Sequence, residues 1–172
     1  MTVSVTDRDI GRAIKAFSEL ISPSLVVIRS QVNRVPPPRT AFMAMTPISR
    51  RQMATAKDRY TDTEEVQTQN VSHSIQARWQ LDYYGDQAET DVQTFFSLFN
   101  DMYAFDHFPK AIKPLYAEAP SQVQTIDGER QYLQHWRMDI FLNIHPVVTA
   151  PMEFFDKKGG VTVTPVDVIP IL

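Results

Sequence analysis

Four histidines, His73, His107, His135 and His145, have the widest chemical reach of any side chains in this sequence. No two of them stand at the i, i+4 spacing that puts a ligating pair on one helix face. The chain has no cysteine, so thiolate ligands, a cysteine nucleophile and a disulfide framework are all ruled out. His135, Arg137 and Asp139 alternate along one strand face, but the arginine between the other two would repel a cation. Surface hydrogen bonding or a cross-strand ion pair is the expected role of this trio. Asp82 and Asp139 fall on the polar faces of two long strands. If those strands are neighbours, two carboxylates could approach as glycoside acid–base chemistry requires. Arg78 stands four residues from Asp82 and Arg137 two from Asp139, on the same faces, and cross-strand Arg–Asp pairing explains all four without catalysis. Gly159-Gly160 reads as a hairpin turn before a strand at Val161–Thr164, not as a phosphate cradle. No G-x-S-x-G elbow occurs. The expectation is a chain with no catalytic, cofactor or metal site.

The elements that must position these residues follow from hydrophobic period. Ile10, Ala13, Ile14, Phe17, Leu20 and Ile21 form one helical stripe. Thr6 and Asp9 precede it as a capping box with Asp in place of Glu, and Pro23 stops it. Ala88, Val92, Phe95, Phe96, Phe99, Met102 and Tyr103 predict a second helix, opened by Gly85-Asp86 with Glu89 at a box-like position and bounded by Pro109. Strict alternation predicts long strands over Val71–Tyr83 and Tyr132–Ile144, far beyond the common ~5–6 residues. Shorter strands are expected at Leu25–Arg29, Thr40–Met45, Leu115–Glu118 and Val161–Thr164. Trp79 and Trp136 hold equivalent places on the two long strands. They could stack on bases. Their neighbours are Ile, Leu and Met, however, so burial with Phe95 and Phe99 is the simpler reading. Strands and helices do not alternate regularly, which predicts an α+β fold: a mainly antiparallel sheet with two helices on one face.

With 172 residues the chain fits one domain, spanning 1–172. Its 17 Lys+Arg against 20 Asp+Glu give a net charge of −3, which argues against a dedicated duplex binder. No apolar run approaches the ~20 residues of a membrane helix. The first residues carry no signal-peptide pattern, so a cytosolic folding compartment is the default. Average usage would give roughly 12 Gly and 9 Pro. The chain has 5 and 12, which predicts few positive-φ turns and many stiff, extended connections.

Two stretches break the period. Gln31–Arg39 contains Pro36-Pro37-Pro38 and reads as a polyproline-like connector. Residues 46–66 show no apolar period, and a loop of about 20 residues in a compact domain is usually functional or disordered. Its charges are sorted. Arg50, Arg51, Lys57 and Arg59 come early, with Asp58 among them, while Asp62, Glu64 and Glu65 come late. It reads as a projecting arm built as a long hairpin, with a solvated loop as the alternative. As an arm, its charged residues are candidates for contacts with a neighbouring protomer, not with their own domain.

The order of these pieces resembles the phage tail-terminator (neck terminator) family of tailed bacteriophages. The residues that carry the resemblance are Asn33-Arg34-Val35-Pro36-Pro37-Pro38, and Gln80-Leu81-Asp82-Tyr83-Tyr84-Gly85-Asp86-Gln87-Ala88 before the aromatic helix. Others are Ile126-Asp127-Gly128-Glu129-Arg130-Gln131-Tyr132, Arg137-Met138-Asp139-Ile140-Phe141-Leu142, and Pro146-Val147-Val148 with the tail after it. The resemblance implies a non-enzymatic virion protein. Its protomer would join a hexameric ring that caps the head-proximal end of the tail tube. The implied partners are the tail tube protein, neck and head-completion proteins and a sheath protein, with DNA passing through the lumen without specific binding. The implied location is the virion neck, and the host cytoplasm during assembly. Two other readings stay open: a different ring component, such as a tube or head-completion protein, and a small enzyme or nucleic-acid-binding module.

Overall fold

The computed structural model describes residues 2–31, 36–62, 67–126 and 132–151. In chain order the elements are β1 (Thr2–Val3), α1 (Asp7–Ile21), β2 (Val26–Arg29), β3 (Phe42–Gln52), β4 (Lys57–Asp62), β5 (Gln67–Ser72) and β6 (Ile75–Tyr84). Then come α2 (Ala88–Phe99), α3 (Met102–His107), β7 (Ile112–Ala117), β8 (Ser121–Gln122), β9 (Thr125–Ile126), β10 (Tyr132–Leu133), β11 (His135–Ile144) and β12 (Val147–Pro151). The fold is α+β with mostly antiparallel sheets, as expected.

The larger sheet runs β2-β3-β6-β11-β7, with β8 also pairing with β11. Only β2 and β3 are parallel. One face is covered by helices. Met43, Met45, Ala77, Trp79, Leu81, Tyr83, Met138, Ile140 and Leu142 point to that side and are buried. Phe17 of α1 is the hub. It meets Phe95 edge-on at 5.3 Å and Phe108 at 5.2 Å, with Phe99 at 6.3 Å. Such aromatic contacts add to the large area these rings remove from water. The capping box on α1 is formed: Asp9 N–H donates to Thr6 Oγ1 at 3.4 Å, and Thr6 N–H donates to Asp9 Oδ2 at 3.0 Å. Thr6 Oγ1 also donates to Asp9 Oδ2 at 2.6 Å, and that bond, with the one from Thr6 N–H, holds the Asp9 carboxyl below its ordinary pKa.

Three expectations need correction. The second helix is two, α2 and α3, because the chain breaks at Asn100-Asp101. There the Asn100 side chain leaves the helix to bond both backbone groups of Ala117, accepting from its N–H at 2.8 Å and donating to its carbonyl at 3.4 Å. The capping box expected at α2 is absent, since Gln87 is the N-cap and makes no side-chain cap bond. Trp136 is only partly covered, packed against the rim of the cluster that buries Trp79, Phe95 and Phe99. The expected strand at Val161–Thr164 and the turn at Gly159-Gly160 lie outside the described residues.

The two long alternating segments owe their length to passing through two sheets. Residues 71–83 split at His73-Ser74 into β5 and β6, and the run from Tyr132 splits at Gln134 into β10 and β11. β6 pairs with β11 and β5 pairs with β12, antiparallel in both cases. The register does not slip at the joint: Ile144 faces Ile75, and three residues on Val147 faces Ser72. The second sheet, β1-β12-β5-β4, is therefore a continuation of the central strands beyond the part the helices cover.

At the other end of β6 the chain turns sharply into α2 at Gly85, whose φ is +115°. A Cβ there would also stand 2.9 Å from Ala41 Cβ and 3.0 Å from its Cα. Glycine thus serves both backbone freedom and close approach. Gly85→Ala is expected to lower stability by about 1–3 kcal/mol, read as a lower urea midpoint with unchanged m-value.

Candidate assembly interface

The second sheet has an unusual property for a folded chain. No side chain described in β4, β5, β12 or β1 is buried. A small sheet normally needs one hydrophobic face packed on something to be stable by itself. Directly opposed residues share a face. One face carries Asp58, Val71, Val148 and Val3 in a row, with Tyr60, Gln69 and Ala150 in the next. The other carries Lys57, Ser72 and Val147, then Arg59, Asn70 and Thr149. Asn70 ties this second face together, accepting from Thr149 Oγ1 at 2.7 Å and donating to Thr61 Oγ1 at 3.2 Å. The sheet has two outer edges, β4 on one side and the short β1 on the other. Such edges are open templates for pairing.

The stretch expected as a hairpin-like arm is largely strand over its described residues 46–62, in keeping with the hairpin reading and not with the solvated loop. Thr46 to Gln52 continue β3 against β6, and Lys57 to Asp62 form β4 against β5. The alternation is hidden by a bulge between Pro47 and Ser49 and by a strand exposed on both faces. Arg50 lies opposite Ala77, on the helix side, and its Nη2 is 2.6 Å from Asp7 Oδ1 in the first turn of α1. It therefore has a partner within its own protomer. The pair is about 40% exposed on both sides and contributes at most about 1 kcal/mol. Arg51, opposite Gln76, points to the other side of the sheet. Arg51, Lys57 and Arg59 are exposed and make no ion pair among the described residues. Asp62 ends β4, while Glu64 and Glu65 lie outside the described residues.

The face of the larger sheet turned away from the helices holds the charged residues singled out above. Arg137 stands directly opposite Asp82 and donates Nε–H to its Oδ1 at 2.9 Å. Arg78 reaches diagonally to Asp139 Oδ2, with Nε at 3.1 Å. The Arg–Asp pairing is as expected, and the two carboxylates are each occupied by an arginine. Asp82 has further partners: Gln80 Nε2 donates to Oδ2 at 2.6 Å, and His135 Nε2 lies 2.8 Å from Oδ1. His135 Nδ1 in turn meets Thr125 Oγ1 at 2.8 Å. Sequence reasoning put His135 at the surface, yet it is 4% exposed. Tyr84 stacks on it at 4.3 Å and Phe42 stacks on Tyr84 at 4.6 Å, so the stack crosses three strands in register. No alternation pattern marks a histidine covered by such a stack.

Burial alone would raise the Asp82 carboxyl. The bonds from Gln80, Arg137 and His135, with the Arg137 charge, outweigh it and hold the pKa below the ordinary value. Its contribution to stability is then complete above the unfolded value of about 3.9. It disappears as pH falls through the lower folded value. Asp82→Asn should cost about 1.5–3 kcal/mol near pH 7, the range for hydrogen bonds to a charged group. In urea melts the gap between variant and parent should close at pH values below the folded pKa.

Among the described residues no three His, Cys, Asp or Glu gather where they could hold a metal ion. No helix among them is long and apolar enough to cross a membrane. The geometry is that of a charge-locked sheet carrying a bare β extension. Among curated proteins none matches the chain. The family described as phage neck terminator protein matches it over residues 9–167. The chain belongs to the phage neck terminator family, and it is a structural protein of the phage neck.

Proposed function

We propose that the protein forms a closed hexameric ring that caps the head-proximal end of the tail tube and joins it to the neck. Family membership supports the place, and the four-stranded extension supports the mode of assembly. A sheet with no buried side chain among its described residues leaves its apolar row of Val3, Val71 and Val148 only partly covered until another surface packs on it. Its two edges are different strands, so joining β4 of one protomer to the β1/β12 side of the next is a heterologous contact, which makes a ring when the rotation closes. Arg51, Lys57 and Arg59, with Asp62, Glu64 and Glu65 further along the arm, then set which patch meets which. Charges of this kind govern specificity and association rate more than affinity. Arg50 contributes by fixing the base of the extension to α1 through Asp7. The tail tube and head-completion proteins would meet the ring on its two ends, and a sheath protein would meet it from outside. DNA would pass through a lumen that offers no excess of positive charge, in keeping with a net charge of −3.

Sedimentation equilibrium should find a species of six protomers, alone at high concentration or on added tail tubes. Lys57→Glu combined with Arg59→Glu should leave the melting temperature within about 2 °C, because exposed unpaired charges carry little stability, while removing the ring. Normal assembly of that variant would move the interface away from the extension. Stacking of rings into open tubes would mark a tube protein instead.

A further inference from the structure

The two side rims of the larger sheet carry the same device. On one side β3 is the outermost strand beyond Met45 among the described residues, since β2 pairs with it only up to there. Pro47 supplies no N–H to this edge, and the bulge before Ser49 leaves Ile48 out of the ladder and 45% exposed. On the other side β7 is outermost. Pro114 supplies no N–H here, and a second bulge, between Pro114 and Tyr116, leaves Leu115 out of the ladder and 41% exposed. The backbone N–H and carbonyl of Ala117, further along β7, are already taken by the Asn100 side chain. Both edges are thus blunted against the addition of a strand. Each offers an aliphatic side chain instead.

The two bulges are level. Ser49, Arg78, Phe141 and Tyr116 form one row straight across four strands. Ile48 lies next to that row on one side and Leu115 next to it on the other. A ring has no rise from copy to copy, so rims that meet side by side must present their features at one level. Beside Leu115 the β7 rim is widened by α3, which packs on β7 and adds the exposed side chains of Met102 and Phe105. Apolar side chains grouped this way mark a contact surface. The charges of the two rims also differ in sign. Asp101, Asp106 and Glu118 outnumber Lys110 and Lys113 on the α3/β7 side. Arg51, Lys57 and Arg59 outnumber Asp58 and Asp62 on the β3/β4 side. We propose that the Ile48 rim of one copy seats on the Met102, Phe105 and Leu115 patch of a second copy. β4 lies on the Ile48 side and β1 on the Leu115 side, so this contact engages the same two rims as the joining of the extensions. It rests on the ring reading and gives the ring a side-chain contact on the covered sheet.

The absence of cysteine makes a crosslinking test clean. Within one chain the two positions are three strand spacings apart, about 14 Å. A disulfide needs Cα atoms within about 7 Å, so a bond between them must join two copies. Full-length Ile48→Cys and Leu115→Cys proteins, mixed under assembly conditions and oxidised, should give the mixed disulfide at least tenfold above either self-disulfide. The chain carrying both changes should give a ladder of linked copies that stops at six. Separately, Met102→Glu with Leu115→Glu should leave the melting temperature within about 2 °C, as exposed changes do, and raise the concentration for half-assembly at least tenfold. Rings that form without the mixed disulfide, or at an unchanged concentration in the charged variant, would overturn the contact and leave the ring reading standing. A self-disulfide above the mixed one would overturn it too. A ladder that runs past six copies without closing would uphold the contact and sink the ring reading alone. Absence of both disulfide and rings would overturn both.

Discussion

The unbroken register of two antiparallel strand pairs is the constraint from which the rest of this architecture follows. β6 against β11, and β5 against β12, are one continuous ribbon. Its first part is locked by the aromatic cluster around Phe17 and by Asp82 with its partners on the opposite face. A one-residue slip would turn every side chain to the wrong face. It would place Trp79 and Leu81 among the charges and Asp82 against the helices. The same ribbon must therefore emerge from the covered region at a fixed angle and in a fixed register. The extension inherits its geometry from the covered core.

This division suits an assembling protein. The covered sheet holds the buried apolar surface, which sets the stability of the isolated chain. The extension holds polar ladders, edge strands and exposed cations, which contribute little alone but can specify a neighbour. The Arg50–Asp7 pair sits at the boundary, tying the exposed half of β3 to the first turn of α1. A chain built this way can be stable before assembly and still carry an incomplete surface.

Much of the covered region was legible in the sequence. The α1 stripe, its Thr6–Asp9 box and the alternation of the long strands each reflect a single buried face. The Arg–Asp pairs could be read because strand period places all four side chains on one side. The extension was legible only in outline, as a projecting hairpin arm; its strand bounds were not, because a strand exposed on both faces leaves no hydrophobic period and Pro47 interrupts β3 at a bulge. The split between α2 and α3 depends on Asn100 finding Ala117, a contact between segments distant in sequence. The burial of His135 arises from rings contributed by two other strands. The family resemblance rested on order and spacing, which survive where local period fails.

The central claim is that the four-stranded extension is covered only by assembly. Amide hydrogen exchange on the free protomer and on the assembled protein measures this directly. In the free protomer, amides of residues 57–62 and 67–72 should exchange much faster than those of β6 and β11. On assembly they should slow by at least tenfold, while β6 and β11 stay unchanged. Equal protection of the extension in both states would contradict the account.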